Sequence, residues 1–338
     1  MPPALGDHGQ TLGEAGEAAT LARIFPRLPE ADAALLGPGD DAAVLRAPDG
    51  RYVVTTDTMV HGPDFRRAWS SPHDLGWKAA ATNLADVAAM GAVPTALVVA
   101  LVAPPETPVS DLEAFADGLR DACAALAPGC GVVGGDLSAS GTLTIAVTAF
   151  GDLQSREPVL RSGARPGDVV ALAGRLGLAA TGLLLLFERG VDADGIPDAA
   201  AAARLRAAAP GPVDAQLAPS PPIAAGPAAA RARATAMLDV SDGLAIDARR
   251  IAAASGVALD LDPAAIAAIA GTGIDPRVAL SGGEDHALLA TFPPDAVLPP
   301  GFAPIGRVVE GAGLLVDGRP FDGRGGWDPY ADWDGAAG

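Results

Sequence analysis

The residues best placed to do chemistry are carboxylates. Gly37-Pro38-Gly39-Asp40-Asp41-Ala42-Ala43-Val44 sets two adjacent acids between a Gly-Pro-Gly turn and a short apolar run. Such acids repel each other and lose hydration at a core edge unless a cation meets them. An acid at the end of an apolar run recurs in Tyr52-Val53-Val54-Thr55-Thr56-Asp57, in Gly131-Val132-Val133-Gly134-Gly135-Asp136 and in Ala236-Met237-Leu238-Asp239, where Val240-Ser241-Asp242 follows at once. Asp86 shares a helical face with Asn83, Ala79 and Met90. Asp40, Asp41, Asp57, Asp86, Asp136, Asp239 and Asp242 thus come from both halves of the chain. Hard oxygen ligands in tight turns suit Mg²⁺, and this number of carboxylates suits several Mg²⁺ ions bridging a polyphosphate. Thr55 and Thr56 could add further oxygens.

The same residues admit plainer readings. Asp40 and Asp41 fit an Asx-type turn, Asp57 a strand ending in a turn, Asp86 a helix-end acid meeting a loop, and Ser241 and Asp242 helix N-caps. N-capping does not account for Asp239. Glycines in Val133-Gly134-Gly135-Asp136 let backbone N–H groups approach phosphate oxygens, although many hairpins look alike. Arg161 could grip a phosphate with its planar fork or be a surface arginine. Leu280-Ser281-Gly282-Gly283-Glu284-Asp285-His286 repeats the Gly-Gly-acid theme, with His286 read as structural. Trp327, Tyr330 and Trp333 could stack a flat ring or anchor the tail. Phosphoryl transfer is mostly positioning and charge neutralisation, so no covalent nucleophile is expected.

The elements that must position these groups follow from spacing. Glu17–Leu28 has helical periodicity, and Tyr52–Asp57 reads as a strand. Ser71-Pro72-His73-Asp74 starts a helix that Gly91 and Pro94 stop. Thr95–Val102 is a continuous apolar run, consistent with a strand buried on both faces. Val109–Leu126 is an amphipathic helix, and Leu143–Phe150 another strand. Strands and helices mixed with hairpins suggest layered α+β packing within an α/β fold class, and no GxGxxG or Walker sequence is present. The composition turns polar near 151–160, which divides the chain into domains 1–152 and 153–338. In the second, Val169–Ala173 and Val257–Leu261 read as strands, Leu176–Phe187 and residues 242–254 as helices, and residues 190–233 as one helix, Asp198–Ala209, with a Pro-rich connection.

At 338 residues and 49% hydrophobic content the chain can build about two cores. A formal net charge of −18 opposes binding to nucleic acid or to an anionic membrane surface. Cys123 and Cys130 fit neither a CxxC pair nor a zinc site and read as buried thiols. No signal peptide or membrane span is evident, so a soluble cytoplasmic protein is expected.

Gly39–Val44, Thr55–Asp57, Asp74–Ala92, Val133–Asp136, Leu160–Asp168, Met237–Leu244 and Leu280–Leu288, in this order, resemble the thiamine-monophosphate kinase family. Its superfamily includes aminoimidazole ribonucleotide synthetase, selenophosphate synthetase and a hydrogenase-maturation factor. The resemblance implies an N-terminal domain with a mixed sheet that pairs with its twin in a homodimer, and a C-terminal α/β domain with ATP in the cleft between them. It implies direct transfer of the ATP γ-phosphoryl group to thiamine monophosphate. It further implies Asp40, Asp41, Thr55, Thr56, Asp57, Asp86, Asp136, Asp239 and Asp242 as Mg²⁺ ligands. Gly135, Asp136, Arg161 and Ser241 become ATP contacts, and Asp64, Glu284 and Trp327 substrate-side positions. Asp64 stands where the family usually has a histidine, with His61 a possible substitute, and the segment near Pro219–Pro222 lacks arginines common in relatives. A superfamily cousin acting on another acceptor, or a non-catalytic Mg²⁺/ATP-binding regulator, are the alternatives.

Overall fold

The computed structural model describes residues 9–38, 42–323 and 325–326. Helices α1 (Leu12–Ala15) and α2 (Glu17–Ile24) and a 3-10 turn at Phe25–Arg27 precede a two-stranded ribbon, β1 (Ala34–Leu36) and β2 (Val44–Leu45). The first half then forms β3 (Val53–Val60), α3 (Pro72–Ala89), β4 (Val93–Ala103), α4 (Val109–Leu126), β5 (Gly131–Ala139) and β6 (Thr144–Asp152). Its four strands lie in the order β3-β6-β4-β5, with β4 and β5 parallel and the other pairs antiparallel, so the sheet is mixed. β4 alternates buried and half-buried residues instead of being buried on both faces.

The second half comprises β7 (Val169–Ala173), α5 (Leu178–Arg189), α6 (Ala199–Ala208), α7 (Pro210–Leu217), α8 (Ala225–Arg231), β8 (Ala236–Val240), α9 (Leu244–Ser255), β9 (Ala258–Leu261), α10 (Pro263–Ala270), α11 (Pro276–Ser281), β10 (Ala287–Phe292), β11 (Phe302–Val309), β12 (Gly313–Val316) and β13 (Arg319–Pro320). Its seven strands run β13-β12-β9-β11-β7-β10-β8. No helix among the described residues is long and apolar enough to cross a membrane.

Helix α3 is the piece that joins the halves. Ser71 caps it reciprocally with Asp74, and Pro72 occupies its first turn, where a missing N–H costs nothing. It packs against α4, the first sheet, and the β8 and β10 end of the second sheet. Alanines make this possible: Ala79, Ala80, Ala85 and Ala88 are all at most 1% exposed. Where α3 crosses α4, a Cβ on Gly76 would lie 2.0 Å from the Phe115 carbonyl oxygen, so no larger residue fits. One core runs from the first sheet through α3 to Ala171, Met237, Leu288, Ala290 and Phe292 on the near face of the second sheet. The far face, with Val170, Leu172, Leu238 and Leu289, packs a second core that includes Leu244, Ala248 and Ile251 of α9. Trp69 joins α5, α6 and α7 in a third cluster.

Candidate active site

Strand β3, helix α3 and strand β8 bring three of the sequence-predicted acids together. On β3, side chains alternate between faces, so Thr55 and Asp57 share one. Thr55 Oγ1 donates to Asp86 Oδ2 at 2.8 Å, and the Asp57 backbone N–H donates to Asn83 Oδ1 at 3.2 Å. The strand is thereby tied to the Asn83 and Asp86 face of α3. Asp239 arrives on β8, 6% exposed, and shares a hydrogen bond with His286 Nδ1 at 3.1 Å. Thr55, Asp86, Asp239 and Arg161 line one cleft of about 760 Å³, together with Tyr52, Met90 and Met237. Ser255 Oγ donates to the Arg161 carbonyl oxygen at 3.2 Å and holds that loop.

The electrostatics of the cleft are those of crowded carboxylates. Burial, then the neighbouring Asp239 and Asp57, push Asp86 up to about 7 against the Thr55 hydrogen bond. Burial also raises Asp57; His286 opposes this, and Asp239, Glu284 and Asp242 reinforce it. Asp57 is exposed as a residue, so the protein packed around its carboxyl and the other acids, not full enclosure, cause the shift. Among the described residues, no three His, Cys, Asp or Glu side chains form a ready-made metal shell. Mg²⁺ does not require one: it keeps several waters and takes one or two carboxylates plus substrate phosphates. The hard oxygens of Asp57, Asp86, Asp239 and Thr55, short of cationic partners, fit that ion.

The remaining candidates lie elsewhere. Thr56 alternates to the other face of β3, where its Oγ1 donates to the Val147 carbonyl at 2.9 Å and accepts from Thr148 at 3.2 Å. Asp136 is exposed within β5, accepts from Ser138 Oγ at 2.9 Å and faces a separate cavity beside Pro38, Ala42 and Ala43. β3 and β5 are opposite edges of the sheet, so Asp136 does not join Asp86 and Asp239 in the cleft. A Cβ on Gly135 would lie 2.0 Å from the Val99 carbonyl oxygen, which ties that glycine to strand packing beside an irregularity in register. Asp242 is paired with Arg250 at 2.6 Å. Asp40, Asp41 and Trp327 lie outside the described residues.

A second cavity of about 420 Å³ collects Asp64, Ser241 and Glu284 with Phe65, Arg66, Trp69, Lys78 and Phe187. Glu284 sits at φ +70, and a Cβ on the preceding Gly283 would meet the Ser241 carbonyl oxygen at 2.1 Å. The loop is pinned there by the Glu284 N–H, which donates to Ser241 O at 2.9 Å. Asp64, in the unusual position, accepts from the Val60 N–H at 2.7 Å and so closes the turn. His61 does not replace the family's histidine at the cavity wall: its ring packs on Phe65 and its Nε2 is buried. Lys78 lies in the matching stretch Asp74–Ala92 but was missed because its partners, Glu284 and Gln216, are distant in the chain.

The family models for "AIR synthase related protein", N-terminal and C-terminal domains, match residues 39–153 and 165–314. Thiamine-monophosphate kinase from Mycobacterium tuberculosis is 44% identical, with 98% of this chain and 96% of that protein covered. The crystal structure of thiamine-monophosphate kinase from Stenotrophomonas maltophilia K279a superposes with a TM-score of 0.72 at 32% identity, covering 89% of this chain and 96% of that one. The structure of AaThiL complexed with AMPPCP and TMP superposes with a TM-score of 0.68 at 31% identity, covering 94% and 98%.

Proposed function

The chain belongs to the thiamine-monophosphate kinase family, and on that premise we propose that it binds ATP in the cleft of Asp86, Asp239 and Arg161 and thiamine monophosphate in the adjoining cavity of Asp64 and Glu284. The reaction is transfer of the terminal phosphoryl group of ATP to thiamine monophosphate, giving thiamine diphosphate and ADP. The observation that carries this reading is the convergence of Thr55, Asp86 and Asp239, from three elements of both halves, on one cleft that also holds Arg161. The complex of AaThiL with AMPPCP and TMP supports both substrates.

In this reading a phosphate oxygen of the acceptor attacks the terminal phosphorus directly, and the bond to the ADP oxygen breaks. The protein's part is alignment and charge balance. Arg161 offers a planar fork to a phosphate at the cleft mouth. Asp57, Asp86 and Asp239, assisted by the Thr55 hydroxyl, would hold Mg²⁺. When bound, that ion would supply positive charge to offset the negative charge of the phosphates. Glu284 and the aromatic wall of the second cavity orient the acceptor. A homodimer through the first sheet, a division into two domains near residue 152 and a cytoplasmic location complete the proposal; the place of β3 at an edge of that sheet supports the first.

The test is direct. Purified protein with ATP, Mg²⁺ and thiamine monophosphate is expected to form thiamine diphosphate and ADP in equal amounts. ADP without thiamine diphosphate, or neither product at high enzyme concentration, overturns the assignment.

A further inference from the structure

Lys78 is a buried cation that the reaction as described leaves without a role. Its side chain is 6% exposed, on the stretch of α3 that precedes Asn83 and Asp86. A buried ammonium is costly unless each donor finds a partner. Nζ lies 2.5 Å from Glu284 Oε2 and donates to the Gln216 carbonyl oxygen at 3.1 Å. With the Gln216 amide turned so that both its atoms are satisfied, its oxygen accepts from Nζ at 3.2 Å and its nitrogen donates to the Ala179 carbonyl at 3.1 Å. All three donors are then used. They join α3 of the first half to α7, α5 and the Glu284 loop of the second.

We propose that Lys78 is a positioning residue for the acceptor: it fixes the Glu284 carboxylate at the wall of the second cavity, with Oε2 committed to the lysine and Oε1 left for the ligand. The backbone already restricts Glu284 through its positive φ and its bond to Ser241. Only the side chain remains to be set, and Lys78 sets it. Burial alone would raise the Glu284 carboxyl, but Lys78 and then His286 hold it below its usual value. An ionised, fixed acceptor suits a heteroaromatic cation bearing an N–H donor, which thiamine monophosphate provides. This inference rests on the function proposed above.

The test uses K78M, E284Q and the double variant K78M/E284Q, with both substrates varied. In K78M, KM for thiamine monophosphate is expected to rise by about 10- to 100-fold, the scale of one hydrogen bond to a charged group, while KM for ATP stays within about twofold. E284Q should match it, and the double variant should be no worse than E284Q alone, because the lysine acts through the glutamate. Calorimetric binding of AMPPCP with Mg²⁺ reports whether K78M is folded. If it is not, K78R is read instead, with a smaller rise of the same KM expected. A parallel rise in both KM values, a fall in kcat with KM unchanged, or additive losses in the double variant overturns the inference. If wild-type protein makes no thiamine diphosphate, it is the function itself that fails, a distinguishable result.

Discussion

Asp86→Asn separates a carboxylate kept for ligand binding from one kept for stability. In the ligand-free protein the Asp86 carboxyl moves from 3.8 to about 7 through burial and the nearby Asp239 and Asp57. A folded-state pKa above the unfolded one means that folding binds a proton between those values, so stability falls as pH rises through the interval and the loss is complete above about 7. That interval corresponds to roughly 4 kcal/mol at most. Asp86 is half-buried beside an open cleft, and screening reduces the figure to about 1–2 kcal/mol. Asparagine removes the charge and keeps an oxygen for the Thr55 hydroxyl, whose bond is 2.8 Å. In EDTA at about pH 8, Asp86→Asn is therefore expected to melt higher than wild type by about 1–3 °C. At about pH 4, where both forms are uncharged, the difference should nearly vanish. With Mg²⁺ and AMPPCP the order should reverse, because the variant gains less from the ligand, and turnover should fall at least tenfold. Scanning calorimetry in these three conditions is the assay. An Asp86→Asn protein less stable than wild type in EDTA at about pH 8 would refute the view that the acids repel one another in wait for a cation.

Other expectations follow from single contacts. Arg206 grips Asp74 at 2.8 and 3.1 Å and so ties α6 to the cap of α3. Burial would raise the Asp74 carboxyl, but Arg206 and Ser71 hold it low. Its stabilisation is present above the unfolded carboxylate pKa and is lost as pH falls through the lower folded value. Arg206→Met should cost about 2 kcal/mol near neutral pH and move the acid-unfolding midpoint, followed by circular dichroism, to higher pH. Trp69→Ala should cost about 3–5 kcal/mol in urea unfolding, because the indole N–H bond to the Gly190 carbonyl, 2.7 Å, and the edge contact with Phe187 go together. Gly283→Ala pushes a methyl toward the Ser241 carbonyl; a destabilisation of about 1–3 kcal/mol and a raised KM for the acceptor are expected, and an unchanged KM would detach this loop from the second cavity.

Much of the scaffold could be read from the chain because its signals are local. The predicted helix Val109–Leu126 is α4 to the residue, and the Ser71 cap marks the start of α3. Proline was the main source of error. Residues 190–233 were read as one helix, Asp198–Ala209, with a Pro-rich connection; the helix is α6, but the connection holds α7 and α8, and Pro210 opens α7 from its first turn, where its fixed φ helps. Asp57 and Asp136 were expected at strand ends. Both lie inside edge strands, which tolerate charge because one side meets solvent. The meeting of Thr55, Asp86 and Asp239 could be suspected from their shared pattern, but nothing local shows which acids meet. Sheet order decides that, and it leaves Asp136 at the far edge. Asp64, which stands where the family usually has a histidine, accepts a hydrogen bond from the Val60 N–H.

The placement of these groups on α3 bears on how the reaction is aligned. Lys78 lines the second cavity and Asp86 the cleft shared with Asp239 and Arg161. Eight residues of helix separate them, about 12 Å along the axis. The helix between them is filled by alanines packed against α4 and both sheets, at most 8% exposed from Ala79 to Ala85. Such a segment has little freedom to bend or rotate. Phosphoryl transfer depends on the separation and line of two phosphates more than on any reactive side chain. Under the proposed assignment, a single rigid element carries one anchor for each substrate and sets that separation through its backbone. The alanine-rich composition of this stretch is what lets two sheets close on this helix and hold it still.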